Sequence, residues 1–252
     1  MTKHYNSKII LSGNFLEIVE YKKTQFFNYS KKTTATIAAA PKASINKEKN
    51  KKDSLNRAIK TVRNYIATNY KKGCTKFLTL VVANPNLDIK QSKRRLEKFN
   101  AKLKNIIGNK PQYIGVVEEQ KNGNIHFHIV YFNLKYTDQG KLSKIWGTEG
   151  VYIEPVTYGY KSFNCLTCYM LKQAKSKKEN EKLYFNSLNN LQKPKEIKKD
   201  LDIDKILKVL EPATVVNTYA GKNEYVGEYN LRTFDISQLD KIDINLLQQI
   251  MQ

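Results

Sequence analysis

The chain has 252 residues, and its 44 lysines and arginines against 23 aspartates and glutamates give a formal charge of +21 and a pI near 9.7. A hydrophobic share of 40% and an aromatic share of 11% exclude wholesale disorder. No apolar run approaches the roughly 18 residues of a membrane span, and the opening residues lack the apolar core of a secretory signal. We therefore expect a cytoplasmic protein without a membrane segment, and nucleic acid is the acidic partner that best fits the charge.

The beginning of the chain is predicted to contain little of the core. Residues 1–30 contain two β-rich runs around Tyr21 and are predicted to form a β-hairpin. Residues 31–53 have few bulky apolar side chains and end in a lysine run, which indicates a flexible basic linker. Ser54 is a candidate cap for a helix that ends before Gly73.

A regular pattern of elements starts after Cys74. Asp88 and Asp138 are candidate helix caps, and Asn122-Gly123 is the strongest short hairpin signal in the chain. The predicted elements are a strand at 75–82, a helix from Asp88 to Gly108, strands at 112–119 and 125–132, a helix from Asp138 to Trp146, a strand at 150–156 and a helix at 162–175. This order predicts an α+β fold of the ferredoxin-like βαββαβ type, an antiparallel sheet with helices on one face.

The rest of the chain is predicted to be an α/β extension with a different charge. We expect a helix near 200–210, strands within 214–220 and 224–231, and a final helix from Ile236. Residues 200–252 hold nine acidic and five basic residues, a net charge of −4, so the first 199 residues carry +25. We expect this acidic segment to pack on the core or to bind a partner.

The three cysteines, Cys74, Cys165 and Cys168, predict neither a disulfide framework nor a complete zinc site. Thiols in a reducing compartment are the simplest interpretation.

Two of the three histidines, His126 and His128, stand two residues apart in a predicted strand. Alternation along a strand places both on one face, with their Cα atoms roughly 7 Å apart. The sequence after them excludes the metallo-β-lactamase and cupin patterns. The acidic residues lie instead on the preceding strand, where a two-residue turn would favour Glu119 and a longer or bulged loop would favour Glu118. Two histidines and one carboxylate suit Mg²⁺ or Mn²⁺ as readily as Zn²⁺.

The helix at 162–175 offers a second reactive group. Its predicted apolar stripe consists of Phe163, Leu166, Met170 and Ala174, and Tyr169 and Lys172 are neighbours on the polar side. A phenol in that position could attack a metal-bound phosphate, and the ammonium could neutralise developing charge.

Four segments in this order resemble the motifs of HUH endonucleases, and most closely the rolling-circle replication initiators (Rep proteins) of plasmids and related elements in low-GC bacteria. They are FLTLV (77–81), VVEEQKNGNIHFHIVYF (116–132), IWGTEGVYIEPV (145–156) and CYMLKQAKSKK (168–178). Segments near the start and after residue 182 resemble the same group, so the likeness covers nearly the whole chain.

The resemblance implies roles for individual residues. It implies that His126, His128 and Glu118 bind the metal, Mg²⁺ or Mn²⁺, because the acidic ligand of the family stands eight residues before the first histidine. It implies that Tyr169 is the nucleophile and Lys172 its companion. Gln173 stands where many members have a second tyrosine, which favours a single-tyrosine mechanism.

The resemblance also implies a function. It implies an RRM-like HUH endonuclease domain at 54–178, followed by a C-terminal extension at 179–252. This domain would nick and rejoin single-stranded or hairpin origin DNA, forming a 5′-phosphotyrosine and a free 3′-OH. No G-x-x-x-x-G-K-[ST] segment occurs, so we expect a host helicase and DNA polymerase as partners.

Two alternatives stay open. A relaxase or transposase of the HUH class would use the same residue types on other DNA. A noncatalytic RRM-like RNA-binding module would stack bases on aromatic side chains of the central strands, where this chain has histidines.

Overall fold

The computed structural model describes residues 4–27, 43–84, 86–135, 137–147, 150–172, 182–187, 190–223 and 225–251. Over these ranges the fold is α+β with two antiparallel sheets. The chain divides into two compact units, one of residues 41–192 and one that combines residues 1–40 with residues 193–252. Among the described helices, none has the length and apolar character needed to cross a membrane.

In chain order the elements are β1 (His4–Ser12), β2 (Phe15–Phe26), α1 (Ala43–Asn69), β3 (Lys76–Val82), α2 (Ile89–Ile107), β4 (Tyr113–Glu119), β5 (Ile125–Tyr131), α3 (Gln139–Trp146), β6 (Val151–Pro155), α4 (Tyr160–Lys172), β7 (Phe185–Asn186), β8 (Lys195–Lys199), α5 (Ile203–Val209), β9 (Thr214–Asn223), β10 (Gly227–Asp235) and α6 (Lys241–Met251).

The unit formed by the two ends of the chain has a five-stranded sheet in the order β8-β1-β2-β10-β9. The N-terminal hairpin exists, but its turn lies at Gly13, where φ is +59°, and Tyr21 lies within β2. The C-terminal residues do not form a separate extension, because β8 pairs with β1 and β10 pairs with β2. Apolar side chains from this sheet, α5 and α6 form one core, which includes Ile9, Leu16, Ile18, Ile206 and Phe234.

Helix α1 corrects the predicted linker at 31–53. It begins at Ala43, eleven residues before Ser54, so residues 43–53 are helical; residues 31–42 lie outside the described part of the chain. The side chains of residues 48–54 are exposed, and burial begins near Ala58. The first part of α1 has no apolar stripe to detect, although lysine, glutamate and alanine are good helix formers.

The unit of residues 41–192 has a five-stranded antiparallel sheet in the order β6-β3-β5-β4-β7. The helices α2 and α3 alternate with its strands along the chain. Their caps, Asp88 and Asp138, are confirmed, because each carboxylate accepts a backbone N–H of the first turn. Gly108 ends α2 with a φ of +78°, as predicted.

Helices cover both faces of this sheet, which corrects the predicted arrangement with helices on one face. On one face, α2 and α3 pack on strand residues in a single buried core, whose members include Leu78, Leu80, Phe99, Phe127 and Trp146. The alternate strand residues point to the other face, where α4 contacts Phe77 and His128 through Tyr169. Helix α1 packs against α4 and β4. The histidine face is therefore partly covered by helices.

Candidate functional site

The β4–β5 hairpin decides which glutamate accompanies the histidines. Glu118 lies directly opposite His126, and Glu119 lies opposite Ile125, whose side chain belongs to the other face. The N–H of Gln120 donates to the carbonyl of Asn124, so three residues form the loop. Gly123, with a φ of +83°, supplies its left-handed position. The longer loop thus places Glu118 on the histidine face.

The Glu–His–His group, consisting of Glu118, His126 and His128, can hold a metal ion. One ligand atom from each side chain lies within 4.8 Å of the others. The closest pair is Nε2 of His128 and Oε2 of Glu118, 2.7 Å apart. His128 is buried, and the other two side chains are half-buried. Two imidazoles and one carboxylate are donors that Mg²⁺, Mn²⁺ and Zn²⁺ accept, and the half-buried side leaves room for a phosphate oxygen.

Two polar residues orient the imidazole rings. Oγ1 of Thr79 lies 3.2 Å from Nδ1 of His128, and Nε2 of Gln120 lies 3.2 Å from Nδ1 of His126. Because a hydroxyl both donates and accepts, Thr79 can serve either tautomer of His128. Such partners of ligand histidines fix the ring orientation. The sequence analysis did not identify either residue, although Thr79 is the only polar residue between Phe77 and Val82.

The electrostatic surroundings favour a neutral His126. Burial lowers the pKa of His126 below its ordinary value, the carboxylate of Glu118 acts in the opposite direction, and His128 lowers it further. A neutral imidazole has a free lone pair, which is the form that binds a metal ion.

Tyr169 lies beside the Glu–His–His group on the exposed surface of α4. Its side chain is 57% exposed. The centre of its ring is 5.5 Å from that of His128, in an edge-to-face arrangement. Phe77 stacks on His128 with an interplanar angle of 10° and contacts the Tyr169 ring at 6.1 Å between centres. The aromatic contacts thus hold an accessible phenol next to the candidate ligands.

The packing of α4 explains why Tyr169 stays accessible. The buried residues of the helix are Phe163, Thr167, Met170 and Leu171. The predicted stripe is therefore partly wrong: Leu166 is only half-buried, and Ala174 lies outside the described residues. Lys172, the last residue of α4, is exposed. The structure places Tyr169 and Lys172 on one helix but gives no contact between their side chains.

The positive charge of the protein belongs mainly to this unit. Residues 41–192 contain 29 lysines and arginines and 11 aspartates and glutamates, and 29 minus 11 gives +18. The rest of the chain has 15 and 12, a net charge of +3. A polyanion is thus attracted chiefly to the unit that carries the Glu–His–His group.

Residues 75–174 match the profile of a family of replication-associated proteins, the ORF2 family. The matched range contains all five of the residues discussed above as metal ligands, nucleophile and companion lysine. No match was found among curated proteins. Among solved structures, the chain is similar to the crystal structure of the hypothetical protein ORF119 from Sulfolobus islandicus rod-shaped virus 1. That similarity has 22% identity and a TM-score of 0.35, and it covers 51% of this chain and 97% of the viral chain.

Proposed function

We propose that the protein is a rolling-circle replication initiator that nicks and rejoins single-stranded origin DNA through a covalent link to Tyr169. The observation that carries the proposal is the exposed phenol of Tyr169 beside the Glu–His–His group. The match of residues 75–174 to a replication-associated family supports the replication role.

We also assign the unit of residues 41–192 to the RRM-like HUH endonuclease fold. Its elements β3, α2, β4, β5, α3 and β6 follow the strand–helix–strand–strand–helix–strand order. Their strands lie in the spatial order β6-β3-β5-β4, with every neighbouring pair antiparallel. This arrangement supports the assignment, since it places the histidines on a central strand.

The proposed chemistry is a transesterification at one phosphate of the DNA. A divalent ion bound by Glu118, His126 and His128, Mg²⁺ or Mn²⁺, would supply Lewis acidity at a non-bridging oxygen of that phosphate. The Oη atom of Tyr169 attacks phosphorus and loses its proton, and the bond from phosphorus to the 3′-oxygen breaks. The leaving 3′-oxygen takes up a proton and becomes a free 3′-OH, while the 5′-phosphate stays on Tyr169. Lys172 is near enough along α4 to offset negative charge that develops during the attack.

The two products explain how nicking serves replication. The 3′-OH primes synthesis by a host polymerase, and the phosphotyrosine bond retains the energy for the later rejoining of strands. The sequence contains no nucleotide-binding P-loop, so strand separation is assigned to a host helicase.

The first experiment tests the nucleophile with a pool of random-sequence single-stranded 30-mers, half of them carrying a central hairpin. With Mn²⁺, the protein should form an adduct that survives denaturing electrophoresis, and mass spectrometry should locate the DNA on Tyr169. Tyr169→Phe should form no adduct. Tyr219→Phe is the matched control because Tyr219 is equally exposed, at 57%, on the other unit. An adduct with Tyr169→Phe would sink the assignment.

The second experiment tests the metal site. His126→Ala and His128→Ala should each abolish adduct formation, whereas His4→Ala should leave it unchanged, since His4 lies exposed on β1 in the other unit. Full cleavage by both site variants, or cleavage in excess EDTA, would refute a metal-dependent mechanism.

A further inference from the structure

An exposed tyrosine lies on the histidine face that the proposed reaction does not use. Tyr152 of β6 is 59% exposed. It lies opposite Thr79 of β3, and Thr79 lies opposite His128 of β5. Because residues that face each other across an antiparallel pair share a face of the sheet, Tyr152 and His128 are on the same side. They are separated by two strand spacings, or about 10 Å.

The ring of Tyr152 leans toward the row that contains two of the candidate ligands. A Cβ atom built on Gly150 would stand 3.1 Å from Cε2 of Tyr152, so the ring lies against the bare backbone of Gly150. The carbonyl of Gly150 accepts from the N–H of Val81, which faces His126. Glycine at position 150 therefore gives the ring a flat seat, and a larger side chain would displace it.

The charges around Tyr152 give this edge of the face a direction. Lys144 of α3 is exposed and lines, with Ser143 and Gly150, a shallow depression beside Tyr152. On the other side of Tyr152 along β6, Glu154 is exposed on the same face, since it lies opposite Phe77. A phosphate backbone is attracted to the Lys144 side and repelled from the Glu154 side.

We propose that Tyr152 is a stacking platform for a nucleobase of single-stranded DNA, close to the phosphate held at the Glu–His–His group. This inference rests on the proposed function for its position along the DNA. A distance of about 10 Å is the length of about three nucleotides in a stacked strand, and of fewer in an extended one. The stacked base therefore lies within about three nucleotides of the cut, with its backbone on the Lys144 side. Every base has a π-face, so the platform binds DNA without reading a particular base.

The stacking is tested by DNA binding in EDTA, where no cleavage is needed. The probes are fluorescein-labelled dT20 and an abasic 20-mer with the same number of phosphates, and the proteins are wild type, Tyr152→Ala and Tyr152→Phe. Base–aromatic stacking predicts that Tyr152→Ala loses about tenfold in affinity for dT20. Tyr152→Phe keeps the ring and should stay within about twofold of wild type. All three proteins should bind the abasic strand equally.

The platform is refuted if Tyr152→Ala binds dT20 as tightly as wild type, if it loses equal affinity for the abasic strand, or if wild type does not bind dT20. These results do not depend on adduct formation. Absence of a Tyr169 adduct together with the tenfold effect would refute the proposed function and leave the stacking role intact.

The position along the DNA is tested with the sequence recovered from the adducts. Iodouracil placed at single positions of that strand, bound to Tyr169→Phe, should photo-crosslink to Tyr152 only from within about three nucleotides of the cut. Crosslinks to Tyr152 only from more distant positions would overturn the placement beside the reacting phosphate.

Discussion

Nε2 of His128 lies 2.7 Å from Oε2 of Glu118, although these two residues are not directly opposite each other. Glu118 faces His126, so its carboxylate reaches diagonally along the sheet to the second histidine. The side chains of His128 and Glu118 are 4% and 13% exposed. One carboxylate thus serves two imidazoles, and its removal leaves both without an acidic partner in the Glu–His–His group.

This relationship predicts that Glu118→Gln weakens Mn²⁺ binding by about 100-fold or more, since it removes a charged ligand, whereas loss of supporting contacts alone costs about 10- to 100-fold. Titration calorimetry with Mn²⁺ alone measures the effect. Glu119→Gln is the matched control because its side chain points to the other face, and its affinity should equal that of wild type. Equal weakening by the two variants would indicate a nonspecific loss of negative charge.

Lys172 is predicted to accelerate adduct formation without being needed for metal binding. We expect Lys172→Ala to slow the adduct by about 100-fold, the loss typical of a charge-stabilising donor, with Mn²⁺ affinity unchanged. Single-turnover rates on the recovered DNA sequence measure this. Lys161→Ala, an exposed lysine in the first turn of the same helix, controls for the loss of one positive charge. A normal rate for Lys172→Ala would remove this lysine from the mechanism.

The left-handed conformation of Gly123 predicts a stability difference between two substitutions. Gly123→Ala should destabilise the unit of residues 41–192 by about 1 kcal/mol, because a Cβ is disfavoured at a φ of +83°. Gly123→Asn should cost less, since asparagine tolerates this conformation. Urea denaturation measures both. Equal stability of wild type and Gly123→Ala would mean that the loop relaxes to another turn.

Tyr21 predicts alkaline destabilisation of the unit formed by the chain ends. Burial raises the pKa of Tyr21 to about 12, with further contributions from Tyr5, Glu196 and Glu17. The ionised form is thus less favourable in the folded state, so the stabilisation is complete below about pH 10 and is lost as the pH rises toward 12. Tyr21→Phe should lose less thermal stability than wild type between about pH 9 and pH 11. Tyr219→Phe, which changes an exposed ring, should behave like wild type.

Local signals in the sequence predicted the elements that position the site. Asp88 and Asp138 combine a capping side chain with an apolar pattern that follows, and both begin helices as expected. Asn122-Gly123 predicted the hairpin but not its register, because the same dipeptide fits a two-residue or a three-residue loop. That one-residue difference moves a glutamate from one face to the other, so residue patterns alone left Glu118 and Glu119 open.

Other features could not be predicted because they depend on contacts that are distant in sequence. The early start of α1 at Ala43 has no buried side chain to create a periodic pattern. The pairing of β1 with β8 joins residues nearly 190 positions apart, such as Ile9 and Ile197. No local pattern encodes such a pairing, and for this reason the hairpin and the C-terminal residues were predicted to be separate.

The sheet built from both chain ends has a consequence for biosynthesis. As the ribosome releases the chain, β1 and β2 emerge first with both outer edges unpaired, and β8 and β10 follow only after about 170 further residues. Residues 41–192 are complete before then and can fold as a unit of their own. The N-terminal hairpin must therefore stay open or be protected for most of translation, which makes the completion of its sheet a late step that reports on an intact C-terminus.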